Sequence, residues 1–76
     1  MPPITPDDIK QVVRLQLGAR RIEEPDYLVE DLGAESADIA NIVAALEART
    51  GVRISENELV KIRQVSDLVR LFVQSQ

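Results

Sequence analysis

The chain has no cysteine and no histidine. Disulfides, thiolate nucleophiles and cysteine-ligated metals are therefore excluded, and so are imidazole metal sites, Ser-His-Asp or Cys-His catalysis and a histidine pH switch. Aromatic residues are scarce, with one Phe, one Tyr and no Trp. The core has to be built from Ile, Leu, Val and Ala, which favours helices packed through aliphatic side chains over an aromatic-lined pocket. Positive charge is in the minority: nine Lys and Arg face thirteen Asp and Glu, for a net charge of −4. That balance argues against nucleic acid, whose binding needs clustered bases, and points to basic partners. No apolar run approaches the roughly 20 residues of a membrane span. No charged-then-apolar N-terminal signal pattern appears either, so the expectation is a cytoplasmic protein without a membrane span.

What is present is 76 residues, 45% hydrophobic and 29% charged, the composition of a globular chain. One domain over 1–76 is expected, standing on packing alone and monomeric, and too small for a deep catalytic cleft. There is no internal repeat and no low-complexity tract, and the four prolines at 2, 3, 6 and 25 lie outside the apolar periodic runs.

Thr5, Pro6 and Asp8 read as a helix cap, a first-turn proline and an acid near the positive helix end. Ile9, Val12, Val13 and Leu17 follow at helical spacing, which predicts a first helix over 6–17, stopped by Gly18. From Ala19 to Gly33, with Pro25 inside, no period is visible. A loop that long in so small a domain is functional, or covers core with Ile22, Tyr27, Leu28 and Leu32. Ile39, Ile42, Val43 and Leu46 then give the stripe of a second helix over 36–49, ended by Gly51. Ser55 and Glu58 have capping-box spacing ahead of a short third helix near 56–62, expected to be the least stable element. Val65, Leu68, Val69, Leu71 and Phe72 predict a last helix to about 74, with Asp67 in its first turn and Arg70 further along, the order the helix dipole favours. The fold class is all-α: three longer helices, one short one, and a long loop between the first two. Ile39, Ile42, Val43, Leu46, Ile54, Leu59, Ile62, Leu68 and Phe72 are the expected core.

Charge is segregated along the chain. Ile22 to Ala48 carries eight acids, Glu23, Glu24, Asp26, Glu30, Asp31, Glu35, Asp38 and Glu47, and no base, while the remainder carries +4. Such a run is either a solvated face or a surface that speeds encounter with a basic partner. Ser36 sits inside it, at the start of the second helix. A serine there is commonly a cap or first-turn residue. A phosphate ester on the same hydroxyl is also well placed, because the free N–H groups and positive dipole end of a helix favour it despite the nearby carboxylates. With no histidine to take its proton, Ser36 is not an activated hydrolase nucleophile. No acid–base pair or nucleophile constellation appears anywhere, so no enzyme activity is expected.

Leu32-Gly33-Ala34-Glu35-Ser36, preceded by Val29-Glu30-Asp31 and followed by an acidic-then-apolar helix ending in Gly51, resembles the acyl carrier proteins, whose attachment motif is D-S-L within E-D-L-G-A-D-S. The likeness runs on through Leu46-Glu47, Ile54-Ser55 and Val65, covering nearly the whole chain. It implies a right-handed four-helix bundle in which Ser36 carries 4′-phosphopantetheine, added from coenzyme A by a phosphopantetheinyl transferase. The arm's terminal thiol holds cargo as a thioester, and a chain without cysteine handles thioesters only through such a borrowed thiol. The implied partners are that transferase, an acyl- or aminoacyl-loading ligase, and downstream synthase or transferase enzymes with basic docking surfaces. Glu30, Asp31, Glu35, Asp38 and Glu47 would supply the docking charge.

Two letters depart from the motif. Glu35 replaces Asp but keeps the carboxylate. Ala37 replaces Leu and, with Ala40, Ala44 and Ala48, forms a smooth stripe beside Ser36. That stripe expresses either helix propensity or a partner set unlike that of standard fatty-acid synthesis, with Ala37, Ala40 and Ala44 in the docking surface. Leu59 and Leu68 fall where the family often keeps alanine, which implies a reduced interhelical cavity and cargo that is short, polar, aminoacyl or held on the solvent side. The alternative to a carrier is a helical interaction module in which Ser36 is never modified.

Overall fold

Thr5 begins the first helix in the way its spacing to Asp8 requires. In the computed structural model, which describes residues 3–18 and 21–74, its Oγ1 accepts the Asp8 N–H at 3.2 Å while its own N–H donates to Asp8 Oδ2 at 2.9 Å. This reciprocal box satisfies two otherwise orphaned donors. Helix α1 spans Pro6–Leu17 and ends where Gly18 turns left-handed at φ +68°, its N–H donating to the Arg14 carbonyl. Ile9, Val12 and Val13 are its buried stripe. Helix α2 spans Ser36–Thr50, one residue past the expected end. Thr50 still belongs to the helix because its hydroxyl donates back to the Leu46 carbonyl at 2.7 Å. Gly51 then turns out at φ +77°.

The third helix is shorter than its periodicity suggests. Helix α3 covers Glu56–Leu59, after which the Lys61 and Ile62 N–H groups donate three residues back, to the carbonyls of Glu58 and Leu59. This tightening turns Ile62 into the core. Among the described residues α3 packs its backbone on no other helix, whereas α1 packs on both α2 and the last helix.

The last helix is not uniform either. Helix α4 is α-helical over Val65–Leu68, and Val69–Val73 continues as a π-helix, the Gln74 N–H reaching back five residues to the Val69 carbonyl at 3.3 Å. Val65, Leu68, Val69 and Phe72 are all buried. Asp67 accepts the N–H groups of Arg63 and Gln64, both at 2.9 Å, and pairs with Arg70 at 3.3 Å. Partial burial pushes the Asp67 carboxyl up, but these donors together outweigh it and hold it below the usual carboxylate range.

The long connection between α1 and α2 is part of the core. Its first residues, Ala19 and Arg20, lie outside the described residues, as does Pro2. From Arg21 onward it is fastened to the α3–α4 junction: Leu28 N–H donates to the Arg63 carbonyl at 2.8 Å, Val65 N–H to Asp26 at 3.0 Å, Ser66 N–H to Glu24 at 2.8 Å, and the Gln64 amide to Pro25 at 3.0 Å. Tyr27 and Gln64 thereby form a single antiparallel bridge. Leu28, in the turn that follows the bridge, is fully buried, and its neighbour Tyr27 is 40% exposed. The expectation that Tyr27 covers core is corrected accordingly. Ile22 and Ala34 are also buried and Leu32 half-buried.

Of the expected core, Ile42, Val43, Leu46, Ile62, Leu68 and Phe72 are buried, while Ile39, Ile54 and Leu59 are only half-buried against its edge. The described part of the chain is thus helical, with four helices and a tethered loop, and no helix in it is long and apolar enough to cross a membrane.

Candidate functional site

Ser36 is the first residue of α2, and the residue that caps the helix is Glu35, with extended φ −99° and ψ 169°. The cap reading of Ser36 is therefore displaced by one position. The placement comes from upstream. Gly33 turns at φ +71°, a conformation glycine adopts without strain, and Ala34 is buried at 4% exposure with its N–H on the Leu28 carbonyl at 2.8 Å. The chain is thus pinned to the core two residues before Ser36, whose side chain stands in solvent. Among the described residues nothing is hydrogen-bonded to its hydroxyl.

Asp38, at the third position of α2, accepts the Glu35 N–H at 2.9 Å and the Gln16 side-chain amide of α1 at 3.2 Å. Those two bonds hold its carboxyl below the ordinary value. It serves the helix start and the α1–α2 contact, besides adding negative charge near Ser36. The other acids divide in the same way. Asp31 accepts the Tyr27 N–H at 2.8 Å inside the loop. Glu47, half-buried, accepts the Ile54 N–H at 2.8 Å and so fastens the strap between α2 and α3. Glu30 and Glu35 are exposed. Among the described residues no acid of this group forms an ion pair, so all five carboxylates keep uncompensated charge.

Ala37, Ala40, Ala44 and Ala48 are all exposed. A half-open apolar groove of about 360 Å³ begins at Ser36 itself and is lined by Ile39, Ala40, Leu59, Val60 and Ile62. A second depression of about 420 Å³ continues along α2 at Ala44, Glu47, Ala48, Gly51 and Arg53. Ser36, Ala40 and Ala44, one turn apart, thus share one helix face, whereas Ala37 lies a third of a turn away and lines neither depression. Leu59 forms part of the groove wall; Leu68 is fully buried in the core instead.

Val60 is the functional candidate that sequence reasoning passed over. It is 74% exposed, the most exposed of the large hydrophobic residues, and it stands in the groove wall beside Ser36. The signal lay in its neighbours: Leu59 and Ile62 take the inward positions of this short turn, which leaves Val60 facing out. Among the described residues no cluster of side chains is suited to hold a metal.

Ser36 is an exposed residue at the start of a 15-residue helix, where the free N–H groups and positive helix end favour an attached phosphate. Residues 7–72 match the family model described as "Phosphopantetheine attachment site". The acyl carrier protein of Wolinella succinogenes is 42% identical over 66 residues, 84% of this chain and 87% of that one. That of Chlamydia muridarum is 32% identical over 72 residues, 92% and 94% of the two chains. Among solved structures, the acyl carrier protein of Thermotoga maritima superimposes with a TM-score of 0.76 at 26% identity, over 90% of this chain and 81% of that one. A Mycobacterium tuberculosis chain assigned to the acyl carrier proteins superimposes at 0.88 with 24% identity, over 93% and 97%, a likeness of fold.

Proposed function

This chain belongs to the acyl carrier proteins, and from that premise we propose that Ser36 is where its 4′-phosphopantetheine is attached. The function is that of a carrier: it holds acyl groups on the covalently bound prosthetic group and presents them to partner enzymes, without catalysing their chemistry. When bound, the group supplies a terminal thiol that holds the acyl chain as a thioester.

The chain's own residues do the rest. Ser36 Oγ, free in solvent at the start of α2, is the observation that carries the assignment. The anchor at Ala34 and the cap formed by Glu35 and Asp38 hold that oxygen in place while a transferase approaches. The helix N-terminus offsets the phosphodiester charge. Glu30, Asp31, Glu35 and Asp38 near Ser36, with Glu47 further along α2, supply negative charge, which raises encounter rates with enzymes whose docking surfaces are basic. Ala37, Ala40 and Ala44 let such a surface approach α2 closely. The proposed partners are a phosphopantetheinyl transferase, a ligase that loads acyl or aminoacyl groups, and synthases or transferases that act on the loaded cargo, all in the cytoplasm, with the carrier monomeric.

The test is intact-protein mass spectrometry after incubation with coenzyme A, magnesium and a phosphopantetheinyl transferase of broad specificity. One phosphopantetheinyl group is expected on the native chain and none on Ser36→Ala. Equal gain by both would move the attachment elsewhere.

A further inference from the structure

The acidic run that includes Ser36 stops before α2 does. From Ala48 to Ser55 the chain carries two bases, Arg49 and Arg53, and no acid. Arg49 occupies the last turn of α2, where the negative helix end favours a cation. Arg53 has no such explanation, since it lies two residues beyond Gly51, exposed, in the strap that leads to α3. Among the described residues its guanidinium makes no ion pair and no hydrogen bond, although it lines the same depression as Glu47. Glu47 Oε2 accepts the Ile54 N–H at 2.8 Å instead, so that carboxylate is committed to the strap and leaves Arg53 unanswered. The other walls are Ala44, Ala48 and Gly51, whose small or missing side chains leave about 420 Å³ open beside the cation. With a rise of about 1.5 Å per residue, Ala44 lies about 12 Å and Gly51 about 22 Å along the helix axis from Ser36. An enzyme seated along α2 therefore meets two surfaces of opposite sign, carboxylates near Ser36 and a cation with a hollow at the far end.

Resting on the reading that enzymes dock on α2 to reach Ser36, we infer that the depression at Arg53 receives an acidic side chain, Asp or Glu, of the enzyme that works with this carrier, and that Arg53 selects enzymes bearing that acid. The acid has to stand about 20 Å from the point where the enzyme meets Ser36. Arginine's planar fork holds a carboxylate through two N–H groups at once. The methylenes of the incoming side chain lie against Ala44 and Ala48, where larger residues would fill the space. Selection works by repulsion as well as attraction. An enzyme whose docking surface is basic throughout sets a cation against Arg53, and one whose acid is misplaced toward Ser36 sets it against Glu47 and the carboxylates beyond.

The experiment places the photo-cross-linking residue p-benzoylphenylalanine at one of two exposed alanines, Ala37 beside Ser36 or Ala48 in the depression, in the full chain expressed and irradiated in its native host. Circular dichroism establishes that each chain folds, and mass spectrometry identifies the cross-linked peptides. The expected result is one enzyme captured from both positions, with the peptide joined to position 48 containing an exposed Asp or Glu. For that enzyme, purified, Arg53→Glu should weaken binding of the otherwise unaltered carrier about fivefold at low salt and less at high salt. Arg53→Lys should retain most of the binding, and reversing the identified acid to Arg in the enzyme should restore its affinity for Arg53→Glu. Capture from position 37 without capture from 48, a peptide from 48 that holds no acid, or binding unchanged by Arg53→Glu overturns this inference and leaves docking at Ser36 standing. No capture from either position on folded chains overturns the docking reading and the inference with it.

Discussion

Leu28 and Val29 are adjacent, apolar and in the same loop, yet one is fully buried and the other 53% exposed. Truncating each to alanine is therefore a controlled test of whether the α1–α2 connection is a structural part of the core. Removing a fully buried leucine side chain costs about 2–5 kcal/mol, depending on how far the cavity collapses. Leu28 belongs to the upper half of that range, because its backbone is held from both sides, its N–H on Arg63 and its carbonyl accepting from Ala34, and the loop cannot settle inward. A chain of this size has about 4–11 kcal/mol of stability in all. Leu28→Ala should thus remove a large share of it, while Val29→Ala should stay within about 0.5 kcal/mol of the parent. Urea unfolding of the apo protein followed by far-UV circular dichroism reads this directly. With a slope of about 1 kcal/mol/M for so small a domain, the Leu28→Ala midpoint should fall by about 3.5 M or more. A loss below about 1 kcal/mol, or equal losses for the two variants, would refute the reasoning that the loop is core.

Acid lability should follow the aspartates held below their ordinary values, Asp8, Asp38 and Asp67. A carboxyl whose folded pKa is depressed contributes stability above its unfolded pKa, near 3.9, and that contribution is lost as pH falls through the folded value. The urea midpoint should be flat from pH 7 to about 5 and drop below about 4. An Asp8→Asn, Asp38→Asn, Asp67→Asn variant should start lower and drop less, and a parallel drop would contradict the assignment. Gly51→Ala forces a side chain into φ +77° and should cost about 1 kcal/mol or more in thermal unfolding, although open space surrounds the new methyl. Glu47→Ala removes the acceptor of the Ile54 N–H and should speed hydrogen exchange at Ile54 and across α3 more than in α1, with no selective change if the bond is idle. Glu30→Lys, at an exposed acid without a structural bond among the described residues, should slow modification by a basic-surfaced transferase at low salt and much less at high salt. A salt-independent effect would indicate a specific contact instead.

The sequence was most informative where structure is local. Thr5 with Asp8, Ser55 with Glu58, and the glycines at 18 and 51 mark helix ends through chemistry that spans three or four residues, and those ends lie where they do because the bonds close within the same turn. Ser36 was legible as a position at a helix start, but its exact role was not. Cap and first residue differ by one place, and the choice depends on Ala34 being drawn into the core by Leu28. Long-range features were out of reach. The Tyr27–Gln64 bridge joins segments 37 apart in the chain, and only that pairing decides that Leu28 faces in and Tyr27 out. Glu47 and Asp38 look like surface charge in the sequence because their partners, a backbone N–H seven residues on and the Gln16 amide of α1, appear only when the helices pack. The π-helical winding after Leu68 has no marker in the sequence.

The most direct test of the carrier assignment is peptide mapping of the protein purified from its native host, cleaved so that Ser36, Ser55 and Ser66 fall on separate fragments. The account predicts phosphopantetheine, bare or acylated, on the Ser36 fragment alone. The group on a fragment holding Ser55, Ser66 or Ser75, or a Ser36 fragment always unmodified while other carriers of the same cell are loaded, would contradict it.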